Sequence, residues 1–386
     1  MIIFPNIKGY KMPLISNILS TRKRFLKSLG AENSIEAYRK LFYALENPLK
    51  LKVSNDAPFL DKVISLTDIP VLKFFKEDGG RYITSGIIIA KDYETGALNA
   101  SFHRMMVLDD KRLAVRIVPR HLYKMLENAR KKGKDLEVAI VIGVPPIVEI
   151  AAACSPPYGV FELEVANRLA EGNILGYEFD NGLIVPVESE IVMLGKIKGN
   201  IQVREGPFVD ILRIYDIARK QPLIEIEKIY CRRDAYYRTI LPGGSEHRLL
   251  MGFHREANIW KKVSEVVPKV HGVRLTKGGG GWLSCVISIE KQTEGDAKNA
   301  ILAAFAAHPS LKMVVVIDPD INIDDPSDIE WALATRFQAS KDLVVIRNVR
   351  GSSLDPSADQ INLLTDKIGF DATMPIKNKQ KYLKVY

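Results

Sequence analysis

LIVPVESEIVMLGKIKGNIQVREGPFVD, residues 183–210, decides how the middle of this chain folds. Ile184-Val185-Pro186-Val187 and Ile191-Val192-Met193 are short apolar runs rich in β-branched residues, and acids and prolines bound them, which reads as strand. The same texture returns at 211–215 and 223–230, so strands dominate from 183 to 229. Toward the N-terminus, 82–84 and 87–89 also read as strand. Residues 99–107 and 112–118, joined by the turn Asp109-Asp110-Lys111, have the pattern of a β-hairpin. Between these stretches lie a helix at 120–132, a buried strand at 136–142, a short helix at 146–153 with Pro146 at its start, and a helix at 161–170. A strand-rich middle interrupted by an αβα insertion predicts a barrel.

The flanks read differently. The last third alternates a helix at 297–307, an apolar strand at 312–317, a helix at 327–336 with Ser327 and Glu330 as a capping box, and a strand at 343–346. That alternation predicts an α/β region with a largely parallel sheet. Gly278-Gly279-Gly280-Gly281 lacks the Lys-Ser/Thr of a phosphate-binding P-loop and reads as a hairpin loop. The first eighty residues predict helices at 15–29 and 34–45, the second capped by Ser34, with Pro48, Pro58 and Pro70 as breaks. The expected class is mixed α/β, an α+β multidomain chain. Residues 1–80 form an N-terminal α/β segment, 81–251 the barrel with an αβα insertion near 120–170, and 252–386 a C-terminal α/β domain suited to oligomerisation.

The 386 residues are 47% apolar and 26% charged, which excludes disorder, collagen and small disulfide scaffolds. The net charge is +9. Its densest basic run, Arg130, Lys131, Lys132 and Lys134, reads as a solvated helix end. No aromatics interleave it, so nucleic acid is not the expected partner. A positive balance does suit a small anionic substrate. Cys154, Cys231 and Cys285 are odd in number and form no CxxC, as in a reducing cytoplasm. The opening MIIFPNIKGYKMP lacks the apolar core and small-residue cleavage site of a secretion signal. The longest apolar stretch, 138–154, is broken by Gly143, Pro145, Pro146 and Glu149, so no membrane span is expected.

Two constellations carry chemistry. In Glu205-Gly206-Pro207-Phe208-Val209-Asp210, a Gly-Pro corner can aim two carboxylates into one cleft, one orienting a partner while the other moves a proton. On spacing alone, exposed loop acids are the plainer reading. In the second, Asn99, Arg104, Arg120-His121 and Glu162 combine oxygen and imidazole ligands suited to Mn²⁺ or Mg²⁺ with arginines suited to a phosphate. Taken singly, His121 reads as a helix-start cap and Glu162 as a first-turn acid.

Together these segments resemble the UbiD family of reversible decarboxylases. The resemblance rests on Asn99-(x)4-Arg104, Arg120-His121, Ser155-Pro156-(x)5-Glu162 and Glu205-Gly-Pro-Phe-(x)-Asp210. It continues through Glu256-Ala-Asn-Ile-Trp260, Lys291-Gln292-(x)2-Gly295-(x)2-Lys298-Asn299, Asp318-(x)-Asp320-Ile321, Trp331-Ala332-(x)2-Thr335-Arg336 and Gly351-Ser-Ser-Leu-Asp355-Pro. Order and spacing are kept from about residue 85 to 357, and many motifs in one order are far more specific than any single one. The match is weak before residue 80.

The resemblance implies a central split β-barrel that binds prenylated FMN between two α/β regions. The flavin phosphate is held through a divalent metal, usually Mn²⁺, with Mg²⁺ as the substitute and K⁺ nearby. By position, Asn99, His121 and Glu162 are the implied metal ligands. Phe102, His103, Arg104, Val115, Arg116, Ile117, Arg120 and His121 are the implied flavin-contacting residues, and Arg104, Glu205 and Asp210 the implied catalytic trio. The chemistry agrees. Losing CO₂ from an sp² carbon leaves an electron pair that no side chain can accept, so a cofactor carries that step. The protein supplies a fork for the carboxylate, for which Arg104 is suited, and a proton donor. Relatives often have Glu where Asp210 stands.

The compact length, Leu241-Pro-Gly-Gly-Ser-Glu-His247 and Glu294-Gly-Asp-Ala-Lys-Asn-Ala-Ile301 resemble the family's archaeal branch. The implied substrate is a phosphorylated α,β-unsaturated acid, trans-anhydromevalonate 5-phosphate of the modified mevalonate route to isoprenoids, and the product isopentenyl phosphate. The alternative is 4-hydroxybenzoate or another aromatic acid. A non-catalytic flavin- or nucleic-acid-binding protein ranks below both. Implied partners are a flavin prenyltransferase as cofactor supplier and further copies of the chain, as a homodimer or higher homo-oligomer.

Overall fold

The computed structural model describes residues 1–385 and divides into two compact units, Met1–Leu250 and the remainder from Met251. The N-terminal unit is organised by a nine-stranded sheet. In spatial order its strands are Tyr82–Ile83, Met105–Val107, Arg112–Val115, Arg219–Cys231, Ile191–Glu205, Leu136–Ile142, Ile87–Lys91 and Leu98–Phe102, with Lys62–Ile64 also paired to Arg219–Cys231. Every pairing is antiparallel. The long pair Ile191–Glu205 and Arg219–Cys231 carries register breaks at Leu194/Gly195 and Ile197/Gln202, where extra residues bend the ribbon.

The order of strands forces the sheet to curl. Leu98–Phe102 lies at one end and Met105–Val107 beside the other, yet only His103 and Arg104 separate them in the chain. Tyr82–Ile83 lies at the other end and Ile87–Lys91 beside Leu98–Phe102, yet only three residues separate those two strands in the chain. Two short crossings therefore close one seam. There the His103 amide donates to the Gly86 carbonyl (3.2 Å) and the Arg116 amide to the Arg104 carbonyl (3.1 Å). The core behind it is aliphatic: Ile88, Ala90, Met105, Leu113, Val115, Val138, Ile140, Ile191, Met193 and Ile224 are buried.

Several local expectations change. The hairpin read at 99–107 and 112–118 is really Met105–Val107 with Arg112–Val115, because Leu98–Phe102 pairs with Ile87–Lys91 instead. Leu136–Ile142 lies between Ile87–Lys91 and Ile191–Glu205, inside the sheet rather than in an insertion. Of residues 211–215, read as strand, only Tyr215 extends, and 211–214 turn. The chain makes a tight hairpin there, pairing Phe208–Val209 with Tyr215–Asp216, and Arg213 adopts a left-handed backbone (φ 61°) at its tip. Residues 14–16 pair with Ile2–Phe4 and Tyr237–Arg238, so the helix expected from 15 covers only Arg22–Ser28. Asn33, not Ser34, caps Ser34–Glu46, and Asp325, not Ser327, caps Pro326–Arg336.

The C-terminal unit holds five strands in the order Val270–Leu275, Ser284–Ile289, Met313–Ile317, Leu364–Ala372, Leu343–Arg350. The middle three are parallel and both edges antiparallel. The four glycines turn between Val270–Leu275 and Ser284–Ile289, as a hairpin loop does. Leu364–Ala372 was not anticipated, since its charged and glycine positions, Asp366, Lys367, Gly369 and Asp371, break the apolar signal. All three cysteines are buried, and none is in a disulfide among the described residues. No helix among the described residues is long and apolar enough to cross a membrane.

Candidate active site

The seam places Arg104. Its Nε donates to Glu205 Oε1 (2.9 Å) and its Nη2 to Glu205 Oε2 (3.0 Å), a bidentate fork. Nη1 donates to Asp210 Oδ2 (2.9 Å), and Nη2 also donates to Asp216 Oδ2 (2.8 Å). The guanidinium carbon lies 4.7 Å from the Phe208 ring centre. Burial opposes the charge on Arg104, but the Glu205 hydrogen bonds and the three carboxylates outweigh it and hold the group above the ordinary arginine range.

Glu205 ends the long strand and is fully buried, so its carboxylate needs every partner it has. Beyond Arg104 it accepts from the Tyr82 hydroxyl (3.0 Å), which itself accepts from the Gly206 amide (3.1 Å). Burial first, and then the Glu205 charge, raises the Tyr82 phenol, so it stays a donor. Gly206-Pro207 starts the hairpin that brings Asp210 and Asp216 back to the same arginine. The hairpin is tied down by the Gly79 amide on the Pro207 carbonyl (2.7 Å). A Cβ on Gly79 would sit 2.2 Å from the Gly206 oxygen, so only glycine allows that approach.

Asp210 and Asp216 are less enclosed than Glu205, with side chains 20% and 14% exposed. Asp216 also pairs with Arg219 (2.8 Å) and stands 4.0 Å from Arg116. Asp210 accepts from its neighbour's amide, Ile211 N (2.7 Å). Its charge also reaches His247, whose Nδ1 accepts from the Gly243 amide (3.1 Å) and whose basicity burial lowers. The structure thus joins Arg104, Glu205 and Asp210. Sequence reading passed over Tyr82 and Asp216. Asp216 was a third acid within one short loop, a signal that was present, whereas Tyr82 gave none.

The second constellation is gathered in part. Asn99 Nδ2 lies 2.7 Å from Glu162 Oε1, and the Ala100 amide donates to Glu162 Oε2 (2.7 Å). Glu162 opens the helix Glu162–Leu169 and is buried. Burial pushes its carboxyl up to about 8 against those hydrogen bonds. A buried carboxylate with no cationic side chain bonded to it among the described residues, beside an amide, fits a divalent cation. His121 opens the helix His121–Lys131, and its ring stands edge-on to Tyr158 at 5.3 Å. Among the described residues, no group of three or more His, Cys, Asp or Glu side chains is gathered as a metal site.

Of the flavin-contact candidates, Val115 and Ile117 are buried, and the Ile117 amide donates to Gln221 Oε1 (3.0 Å). Phe102 and Arg116 are half-buried. Arg120 occupies the N-cap position of the helix His121–Lys131 without a capping side-chain hydrogen bond, reaches Ser155 Oγ (3.4 Å), and meets no carboxylate among the described residues. That set, an arginine and a hydroxyl at a helix start, fits a phosphate. His103 spends both ring nitrogens on the protein: Nε2 lies 3.0 Å from Ser101 Oγ and Nδ1 3.0 Å from the Arg116 carbonyl.

Residues 51–245 match the family model described as the 3-octaprenyl-4-hydroxybenzoate carboxy-lyase Rift-related domain, UbiD, and residues 248–372 match its C-terminal domain. The chain is 44% identical over 386 residues to an anhydromevalonate phosphate decarboxylase of Methanothermobacter thermautotrophicus, covering 100% of this chain and 91% of that one. To the protein of that name from Aeropyrum pernix it is 46% identical over 375 residues, 97% and 85% of the two chains. Among solved structures, the UbiD-class enzyme HmfF from Pelotomaculum thermopropionicum, in complex with FMN, superposes with a TM-score of 0.95 at 37% identity, covering 100% of this chain and 88% of that one.

Proposed function

This chain belongs to the UbiD family of carboxy-lyases, and on that premise we propose that it removes CO₂ from trans-anhydromevalonate 5-phosphate to give isopentenyl phosphate. The observation that carries the chemistry is Arg104, forked onto fully buried Glu205 on one side and touching the less enclosed Asp210 on the other. The observation that favours this substrate is full-length similarity to archaeal enzymes named for it.

In this reading the family's split β-barrel, here the curled sheet of the N-terminal unit, is the flavin domain. Prenylated FMN, when bound, supplies the electron sink for the pair left when the carbon–carboxylate bond breaks. The chain's own residues do the rest. Glu205 and Tyr82 hold Arg104 in one orientation, and Arg104 grips the substrate carboxylate. Asp210, displaced from Arg104 by the substrate carboxylate and protonated from solvent, delivers that proton to the carbon that has lost CO₂. Asn99 and Glu162, with His121 as third ligand, would hold the Mn²⁺ or Mg²⁺ that binds the flavin phosphate, with K⁺ as a second cation. Arg120 and Ser155 would hold that phosphate, and Phe102, Val115, Arg116 and Ile117 would line the flavin. A flavin prenyltransferase supplies the cofactor. The working form is a cytoplasmic homodimer or higher homo-oligomer.

The test is co-expression with a flavin prenyltransferase, followed by assay of anhydromevalonate phosphate beside a panel of aromatic and enoic acids. Preferred turnover of the phosphorylated acid is expected. Preferred turnover of 4-hydroxybenzoate or another aromatic acid would replace this substrate and leave the decarboxylase standing.

A further inference from the structure

Ser101 and His103 are not spent on the reaction proposed above, yet their protons can be counted. The Arg116 carbonyl has no hydrogen, so the 3.0 Å contact requires a proton on His103 Nδ1. Burial holds the ring down to about 4, so it is neutral and Nε2 is bare. A bare Nε2 must receive the Ser101 hydroxyl proton across 3.0 Å. Ser101 has one proton only. The structure places Asn99 Oδ1 3.1 Å from Ser101 Oγ and Nδ2 toward Glu162; with the Ser101 proton spent on His103, that contact needs its proton from Asn99, which the amide gives only with its oxygen and nitrogen exchanged. Read as Ser101 donating to Asn99 Oδ1, two lone pairs would face each other at His103. The amide's oxygen and nitrogen have nearly the same shape, so the hydrogen-bond chain, not the outline, decides between them.

We infer that Ser101 and His103 are positioning residues. A one-way chain, Asn99 Nδ2–H to Ser101 Oγ, Ser101 O–H to His103 Nε2, and His103 Nδ1–H to the Arg116 carbonyl, turns the Asn99 oxygen toward Glu162 and forms a two-oxygen bite for a divalent cation. With the amide so turned, two oxygens stand 2.7 Å apart, and once Glu162 is ionised a bound cation replaces their repulsion with coordination. The chain also links that bite to the backbone of Arg116, whose own amide donates to the Arg104 carbonyl. The inference rests on the cation proposed at Asn99 and Glu162.

The experiment is Mn²⁺ titration of the full chain, followed by electron paramagnetic resonance of free Mn²⁺, for wild type, Ser101→Ala, Ser101→Thr and His103→Phe. Removing such an outer partner typically weakens metal affinity about 10–100-fold, and that loss is expected for Ser101→Ala and His103→Phe. Ser101→Thr keeps the hydroxyl and should stay near wild type, a rescue that a purely packing role would not produce. Nitrogen-15 NMR of histidine-labelled protein should show His103 protonated at Nδ1, and it needs no variant to fold. Wild-type Mn²⁺ affinity in folded Ser101→Ala, or protonation at Nε2, would overturn the inference and leave the cation site intact. Absence of Mn²⁺ binding by wild type itself would overturn both.

Discussion

Two arginines of the N-terminal unit are each gripped by more than one carboxylate, and they differ in how far those carboxylates are enclosed. Arg238 donates Nε and Nη2 to the two Glu149 oxygens (2.8 and 2.9 Å), and its Nη2 lies 2.7 Å from Glu246 Oε1. All three side chains are 1–2% exposed. Around Arg104 the first carboxylate is as deeply buried, but Asp210 and Asp216 keep 20% and 14% of their surface open. The Arg238 triad is closed on all sides and ties strand Tyr237–Arg238 to the helices Pro146–Ala152 and Ser245–Ser264. The Arg104 cluster is anchored at the back and open at the front, where a substrate carboxylate can displace an acid. On the proposed mechanism, anchoring plus one open side, rather than the ion pair itself, is what would distinguish chemistry from scaffolding.

The sharpest way to break that comparison is Arg104→Lys. Lysine keeps the charge and loses the fork. Misplacement of the reacting group costs roughly 10²-fold and a lost stabilising contact about as much again, so turnover should drop by about 10⁴-fold at unchanged flavin loading. Single-turnover kinetics on loaded enzyme measures it. A drop below tenfold would show that Arg104 is scaffolding like Arg238. Next in size is Asp210→Asn, which keeps the shape and removes the proton. Turnover should fall 10²–10⁴-fold while flavin still binds. If Asp210 only turns the chain, Asn serves as well and turnover stays near normal.

Arg238→Met probes the other side. Removing one partner of a buried pair leaves Glu149 and Glu246 uncompensated, at about 3–5 kcal/mol of stability. Denaturant unfolding should register that loss, while turnover per bound flavin changes less than tenfold. A stable variant with abolished turnover would move Arg238 into the machinery. Glu162→Gln removes the buried charge proposed to hold the cation. Mn²⁺ content and flavin retention should fall about 10–100-fold in affinity without unfolding. Full occupancy in the purified variant would remove Glu162 from the site.

How much of this was legible depends on how local each signal is. The apolar runs at 136–142, 191–193 and 313–317 announced their strands because their burial is written in consecutive residues. The crossing at His103-Arg104 was not legible, because nothing in 99–107 shows that residues 102 and 105 go to opposite ends of one sheet. The helix expected at 15–29 shortened for the same reason: Leu14–Ser16 is claimed by Tyr237–Arg238, more than two hundred residues away. In the site, Glu205 and Asp210 could be paired across a Gly-Pro corner. Asn99 and Glu162, sixty-three residues apart, could be joined only by resemblance. Asp216 depends on a hairpin register, Phe208 opposite Asp216, that the apolar residues at 211–215 disguised as a strand.

Asp216 supplies the smallest expected effect and the closest test of the mechanism. It touches Arg104 at 2.8 Å, as near as Asp210 at 2.9 Å, and is similarly exposed, so distance does not choose the proton donor. Its other partners do. Asp216 is also paired with Arg219 at 2.8 Å and faces Arg116 at 4.0 Å, so guanidinium groups surround it and favour a fixed carboxylate. Asp210 has Arg104 alone as its ion-pair partner among the described residues, and can leave it. Asp216→Asn keeps an acceptor for Arg104, while the Glu205 fork is untouched. Loss of one partly exposed charge pair is worth about 1 kcal/mol, so kcat should fall only about fivefold, with KM rising alongside as Arg104 loosens. Steady-state kinetics of Asp210→Asn and Asp216→Asn at equal flavin loading make the comparison. A fall of 10²-fold or more in kcat for Asp216→Asn, with Asp210→Asn near normal, would transfer the acid's role to Asp216.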